Sequence, residues 1–283
     1  MKISRVTTAL GADITDVDLA TCSDDTIEAI RAAAIEHCVV MIRGQQHLGI
    51  DGLEHFTQRM GTPIDTPFVQ AMNDRPNVVR VVKEAGERAL NFGGGWHTDL
   101  SYLAAPPSFT ILWANDVPPF GGDTVWSNQA RAFETLSPGL QSCLIGLRAV
   151  HSAGRPYGTG GVYDITQKGR TMSILPSPDA FAEQEHPVVT THSVTGAPVL
   201  FLNSGYVTKF SGWAAHESQA LLSQLYMHCQ REANTVRMRW TNGTLAIWDN
   251  RVTQHNAIDD YAAFRRELFR TTIAGDTPVA YEA

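Results

Sequence analysis

Apolar positions first fall into a regular pattern after Ser23-Asp24-Asp25. From Thr26 to Ile35 they recur at helical spacing behind a polar, acidic start, which predicts a helix with an N-terminal cap. Cys38 to Ile42 is an unbroken apolar run of strand length that stops at Arg43-Gly44, so a buried strand is expected there. A second helix is predicted from Ile50 to Met60, just before Gly61. Ahead of these, residues 1–20 alternate short β-favouring stretches with turn residues.

From about Asn77 the pattern changes. Val78–Val82, Phe109–Trp113, Pro198–Leu202 and Leu245–Trp248 are β-rich runs bounded by Gly, Pro, Asn and Asp. Ala130–Leu136 and Ser218–Glu232 predict helices among them. Short strands without regular strand–helix alternation predict a mainly β fold with flanking helices, a sandwich or barrel in place of a doubly wound sheet. No internal repeat interrupts the chain, and a single domain over 1–283 is expected. Gly154 to His186 is rich in Gly, Pro and polar residues. A loop of that length inside a compact domain is commonly functional, so it is expected to be a lid or insert.

Composition narrows the class. The chain is 43% hydrophobic and 18% charged, with a formal net charge of -7 and no long basic run. A nucleic-acid partner would need a concentrated positive face. An anionic small molecule needs only a few well-placed arginines. Cys22, Cys38, Cys143 and Cys229 form no CxxC pair. The N-terminus reaches acidic residues before any apolar run, and no stretch approaches membrane-spanning length. A cytoplasmic protein without a membrane partner is therefore expected.

The first chemical signal is Trp96-His97-Thr98-Asp99. On an extended strand, side chains two apart share a face, so His97 and Asp99 could grip one ion from one side. A second histidine would complete two imidazoles and a carboxylate with the opposite positions open, as in non-haem Fe(II) oxygenases. Alone, His-x-Asp is a weak signal that turns and surface pairs produce often. A second segment adds weight: Trp248-Asp249-Asn250-Arg251-Val252-Thr253-Gln254-His255 places a histidine just past a buried-looking strand. Then comes Arg265-Arg266-Glu267-Leu268-Phe269-Arg270-Thr271-Thr272-Ile273. If this is a strand, Arg266 and Arg270 share a face and stand roughly 13 Å apart, able to fork two different anions in one pocket. Taken alone, ordinary ion pairs with Glu267, Asp259 or Asp260 would explain the arginines equally well.

Together, WHTD, GGDTVW and WDNRVTQH…RR…R, in this order, resemble the TauD/TfdA family of Fe(II)/2-oxoglutarate-dependent dioxygenases, nearly end to end. The resemblance implies a double-stranded β-helix, or jelly-roll, core. It implies His97, Asp99 and His255 as iron ligands. Arg266 would pair with the distal carboxylate of 2-oxoglutarate, assisted by the Thr124 hydroxyl. Arg270 would meet the acidic group of the prime substrate. Fe(II), 2-oxoglutarate and O2 are the implied cofactor and cosubstrates, with succinate and CO2 released. A homo-oligomer, dimer or tetramer, is the expected assembly.

The resemblance thins at the substrate. No histidine occurs between His55 and His97, where the taurine enzyme uses one against the sulfonate, and Gly93 replaces an asparagine four residues before the first ligand. Losing a buried hydrogen-bond partner costs about 1–3 kcal/mol, enough to move an enzyme to another substrate. Taurine itself is therefore not expected; a small sulfonate, sulfate ester or carboxylate is. Phe68, Met72, Tyr102, Phe201 and Tyr206 are candidates for an apolar wall, with Tyr102 and Tyr206 foremost, and Gly93 is expected beside the ligand. The triple glycine 93–95 lacks the phosphate-loop pattern and precedes no helix. Three rival readings stay open: the same chemistry on an amino-acid-derived intermediate, a redox-neutral metalloenzyme, and a non-catalytic jelly-roll that binds a ligand.

Overall fold

The computed structural model describes residues 1–283. Its large sheet is eight-stranded. Lys2–Arg5, Ala12–Thr15, Val39–Ile42, Leu245–Asp249, Phe109–Asp116 and Arg266–Ile273 lie side by side, and Pro63–Ile64 and Val79–Lys83 both pair with the last of these. Only Ala12–Thr15 against Val39–Ile42 is parallel. A three-stranded sheet, Thr235–Met238, Thr124–Asn128 and Thr253–Ala257, faces it. This is the jelly-roll architecture expected.

Alternation along the strands places the core. Val39, Met41, Ala246, Trp248 and Leu268 point between the sheets and meet Trp126, Val236 and Met238 of the small sheet and Trp240 just beyond it. Their sequence neighbours Val40, Ile42, Leu245, Ile247 and Phe269 point the other way, onto two helices. Those helices, Asp24–His37 and Gly49–Met60, bury Ile27, Ile30, Leu53 and Phe56, each worth about 1.5–3 kcal/mol of transfer free energy. Both faces of the central strands are thus covered, which is why Val39–Ile42 and Leu245–Asp249 read as continuous apolar runs. The first helix begins where expected, with Ser23 Oγ accepting from Thr26 N at 3.3 Å.

The structure departs from the sequence expectations at three places. The helix expected from Ser218 runs Ala215–Cys229, because Glu217 accepts from the Ala214 N–H at 2.9 Å and caps it a turn earlier. The strands Thr124–Asn128 and Thr253–Ala257, which build the small sheet, had no clean alternation to announce them. The expected long loop from Gly154 is not structureless. It holds short helices at Gly154–Tyr157 and Val162–Ile165, a 3-10 turn at Pro178–Phe181, and ends on the strand Glu183–Pro187. No helix is long and apolar enough to cross a membrane.

Candidate active site

The free edge of the small sheet assembles the site. Strand Thr253–Ala257 pairs on one side with Thr124–Asn128. Its other side takes only the segment around His97: His97 N donates to His255 O at 3.0 Å and His255 N to His97 O at 2.8 Å. This two-way exchange fixes the two histidines directly opposite each other, with ring centroids 4.3 Å apart. Gly93 and Asn256 extend the same seam, through Ala257 N to Gly93 O at 3.0 Å and Gly95 N to Asn256 Oδ1 at 2.7 Å. The expectation that His97 and Asp99 sit on one strand is corrected. His97 makes an isolated bridge and Asp99 lies in the turn that follows. The turn still brings Asp99 Oδ1 to 3.5 Å from His97 Nε2 and 4.0 Å from His255 Nε2.

These three side chains offer ligand atoms all within 4.8 Å of one another. Their protonation suits a cation. His97 Nδ1 lies 2.8 Å from the Gly95 carbonyl, which can only accept, so Nδ1 carries a hydrogen and Nε2 is the nitrogen turned toward Asp99 Oδ1. Burial, then the neighbouring His97, pulls the His255 imidazole down to about 3, so it is neutral at working pH. Burial, the largest single influence, would raise the Asp99 carboxyl, but the Arg270 guanidinium, His255 and His97 together outweigh it and hold the group far below the usual carboxylate range. Asp99 Oδ2 accepts from Thr110 Oγ1 at 2.7 Å. Thr110 in turn accepts from Asn250 Nδ2 at 2.8 Å, and Asn250 Oδ1 from Trp248 Nε1 at 3.0 Å. That chain orients the carboxylate and leaves Oδ1 facing the imidazoles. Two imidazole nitrogens and one carboxylate oxygen fit the donor set of a facial Fe(II) centre.

Strand Arg266–Ile273 supplies both arginines, and its alternation separates them from the ion pairs. Arg265 faces outward and binds Glu267, Asp116 and Glu84 at 2.6, 2.9 and 3.1 Å. Arg266 and Arg270 face inward and are 3% and 6% exposed. Arg266 lies over the rings of Trp240 and Tyr261, at 5.8 and 5.7 Å. Its Nε donates to the Gly122 carbonyl at 3.2 Å, and its Nη2 is buried with no partner. Gly122 sits at φ +68°, and a Cβ there would lie 3.1 Å from the Arg266 side chain, so a larger residue would press on the guanidinium. Arg270 Nη2 lies 3.1 Å from Asp99 Oδ1, an ion-pair contact without hydrogen-bond direction. Its Nε and Nη2 both lack an acceptor.

Two adjoining cavities open on these groups. One of about 40 Å³ is lined by Thr124, Trp126, Trp248, His97, His255, Arg266 and Arg270. The other, of about 130 Å³, is lined by Gly93, His97, Asp99, Tyr206 and Arg270, and by Pro156, Tyr157 and Tyr163 from the segment after Gly154. The Tyr163 hydroxyl accepts from Gly93 N at 3.3 Å, tying that segment to the glycine loop. Gly93 sits at φ +75°, and a Cβ there would be in van der Waals contact with the His97 ring at 3.8 Å, so the glycine keeps a side chain off that face. Tyr157 and Tyr163 escaped the sequence reading, because their Gly-rich surroundings carry no periodicity; two aromatics inside an expected lid were the available signal.

Other candidates lie elsewhere. Phe68 and Tyr102 stand one layer back, packed on Tyr157 and Tyr206 respectively and lining neither cavity. Met72 packs against the helix-covered core. Phe201 stacks on His151 and lines a different and larger cavity of about 540 Å³. That cavity shares no residue with the other two, and its His192 and Arg251 are already engaged by Asp249 at 3.1 and 2.7 Å. Size does not decide here; the unpartnered cations and the ligand cluster do.

The family model for "Taurine catabolism dioxygenase TauD, TfdA family" matches residues 2–272. The chain belongs to the TauD/TfdA family. Among its relatives, the α-ketoglutarate-dependent sulfate ester dioxygenase of Pseudomonas putida is 36% identical over 284 residues, covering 100% of this chain and 92% of that protein. An alkylsulfatase of Acinetobacter baylyi is 35% identical, covering 98% and 86%. The crystal structure of a taurine dioxygenase from Burkholderia xenovorans superposes with a TM-score of 0.80 at 32% identity, over 99% of this chain and 92% of that one. The TauD/TfdA match spans both halves of the site described above, from the His97 turn to the Arg270 strand.

Proposed function

We propose that the protein is an Fe(II)/2-oxoglutarate-dependent dioxygenase that hydroxylates a C–H bond of a small anionic substrate, foremost a sulfate ester or sulfonate. The observation that carries this is the unpartnered Nη2 of Arg266, buried in a cavity shared with Thr124 and both histidines. A buried guanidinium without a counter-charge is costly, and a dicarboxylate reaching from the metal would supply one. A redox-neutral metal centre gives Arg266 no such task.

In this reading His97, Asp99 and His255 hold the iron from one side. Arg266 receives the distal carboxylate of 2-oxoglutarate. Thr124 Oγ1 accepts from Trp240 Nε1 at 3.0 Å, which leaves its own O–H free to donate to the same carboxylate. When bound, iron, 2-oxoglutarate and O2 together supply the oxidation, with succinate and CO2 as coproducts. The remaining residues position and enclose. Arg270 meets the anionic end of the substrate, and Gly93 leaves room beside His97. Tyr157 and Tyr163, from a 154–186 lid, keep water out. Where the hydroxylated carbon bears the sulfate oxygen, the product collapses to an aldehyde and free sulfate. The relatives named for sulfate esters and sulfonates support that substrate class.

The test is a panel of matched alkyl sulfates, sulfonates, carboxylates and amino acids, read as succinate release and product mass. Sulfates or sulfonates should give succinate in step with substrate oxidised. Turnover confined to amino acids would overturn the substrate class.

A further inference from the structure

The turn that carries Asp99 is held from behind by a polar cluster that lines neither cavity of the site. Ser101 and His151 are fully buried, and Asn203 is 1% exposed. One amide, that of Asn203, joins two parts of the site. Its Nδ2 donates to Ser101 Oγ at 2.9 Å, two residues past Asp99, and its Oδ1 accepts from Tyr206 N at 2.9 Å. Ser101 Oγ also lies 3.0 Å from His151 Nδ1, on the strand Arg148–Ser152. The residues between Asn203 and Tyr206 grip the other side of the same turn. Ser204 Oγ and Gly205 N both donate to Trp96 O, each at 3.1 Å. Gly205 passes so close that a Cβ there would come to 2.8 Å from His97 Cβ. Segment 203–206 therefore brackets the ligand turn from Trp96 to Ser101. Its last residue, Tyr206, is a wall of the front cavity and stands edge-on to His97 at 6.1 Å.

We propose that Asn203 is a positioning residue: its amide sets the Asp99 turn and the Tyr206 wall relative to each other, so that metal binding and prime-substrate seating both depend on one side chain outside the cavities. This rests on the function proposed above and adds a residue that touches neither metal nor substrate. Hydrogen-bonded polar groups this deep add little net stability over apolar side chains of the same shape; what they add is direction. Here the directions are two. Toward Ser101, the amide fixes the end of the turn that presents the Asp99 carboxylate. Toward Tyr206 N, it fixes the backbone from which the cavity wall projects.

The test compares wild type with Asn203→Ala, Ser101→Ala and a control, Asn234→Ala. Asn234 is 2% exposed and donates Nδ2 to His228 O at 3.0 Å, and neither residue lines a cavity of the site. Mn(II) affinity is read by competition against a chelator, and butyl sulfate affinity by calorimetry on protein saturated with Mn(II) and 2-oxoglutarate. Asn203→Ala should weaken Mn(II) and butyl sulfate by about three- to tenfold each, the worth of one hydrogen bond apiece. Ser101→Ala cuts only the ligand-turn half, so it should weaken Mn(II) about three- to tenfold and butyl sulfate less than about twofold. Asn234→Ala should lower the melting temperature and leave both affinities within about twofold of wild type. Unchanged affinities in Asn203→Ala, or equal losses in all three variants, would overturn the assignment. Should Asn203→Ala not fold, Ser101→Ala decides: selective loss of Mn(II) supports the assignment, and unchanged Mn(II) affinity overturns it. Wild type binding Mn(II) and 2-oxoglutarate but not butyl sulfate would overturn the Tyr206 half together with the substrate class. Wild type binding neither Mn(II) nor 2-oxoglutarate would remove the proposed function and this assignment alike.

Discussion

The two ends of strand Arg266–Ile273 carry the same side chain into the same pocket and treat it differently. At one end Arg266 is clamped, its guanidinium over Trp240 and Tyr261 and its Nε on the Gly122 carbonyl, with one nitrogen left over. At the other end Arg270 leans on Asp99 Oδ1, the carboxylate oxygen that faces both histidines, and its Nε and Nη2 have no hydrogen-bond acceptor. The walls differ as well. Arg266 is enclosed by the two sheets, through Trp126, Trp248 and Thr124. Arg270 is enclosed by the segment after Gly154, through Tyr157 and Tyr163. A rigid end suits an invariant cosubstrate, and an end built on loops suits the ligand that must enter and leave. The contrast is between a fixed clamp and an adjustable one.

Four changes sharpen or break this contrast. The largest effect belongs to Arg266→Ala, which removes the only cation at the rigid end. The dissociation constant for 2-oxoglutarate should rise about 30- to 1,000-fold by calorimetry, the range for truncating one partner of a buried charge pair, while butyl sulfate binding changes little. Arg270→Ala should mirror it, weakening butyl sulfate about 30- to 100-fold and 2-oxoglutarate less than about threefold. Equal losses of both ligands in either variant would erase the distinction. Thr110→Val acts on what the two ends share, because it frees Asp99 Oδ2 from its orienting donor. Competition against a chelator should show metal affinity about tenfold weaker, at the lower edge of the range for outer hydrogen bonds to ligands. The smallest effect is Tyr163→Phe, which leaves the Gly93 N–H without its 3.3 Å acceptor. KM for the prime substrate should rise about two- to fivefold with the 2-oxoglutarate KM unmoved. A shift in the latter would place the 154–186 segment over the wrong end.

Legibility in the sequence followed the same division. The rigid end was readable because its groups sit in contiguous motifs. His255 follows an apolar strand run, and two-residue alternation through 265–273 put Arg266 and Arg270 on one face and Arg265 with Glu267 on the other, as the ion pairs bear out. The helices on the outer face were readable from their spacing. What resisted depends on contacts between distant segments. The bridge between His97 and His255 orients Asp99 through a turn, and no strand period foretells that. Thr124–Asn128 is buried at three of five positions without alternation, so its strand character comes from its partners. Tyr157 and Tyr163 lie in a glycine-rich stretch where period carries no signal. Phe201 belonged to a strand run that turned out to line the large separate cavity, since adjacency in sequence to a strand does not say which side of it faces the site.

The account stands on one arrangement: His97, Asp99 and His255 gather a single Fe(II), and Arg266 anchors the keto acid that chelates it. Its most direct test is the visible spectrum of the protein mixed with Fe(II) and 2-oxoglutarate under nitrogen. A weak charge-transfer band should appear in wild type, persist in Arg270→Ala and vanish in His255→Ala. Wild-type protein fully loaded with iron but showing no band, or a band undiminished in His255→Ala, would contradict it.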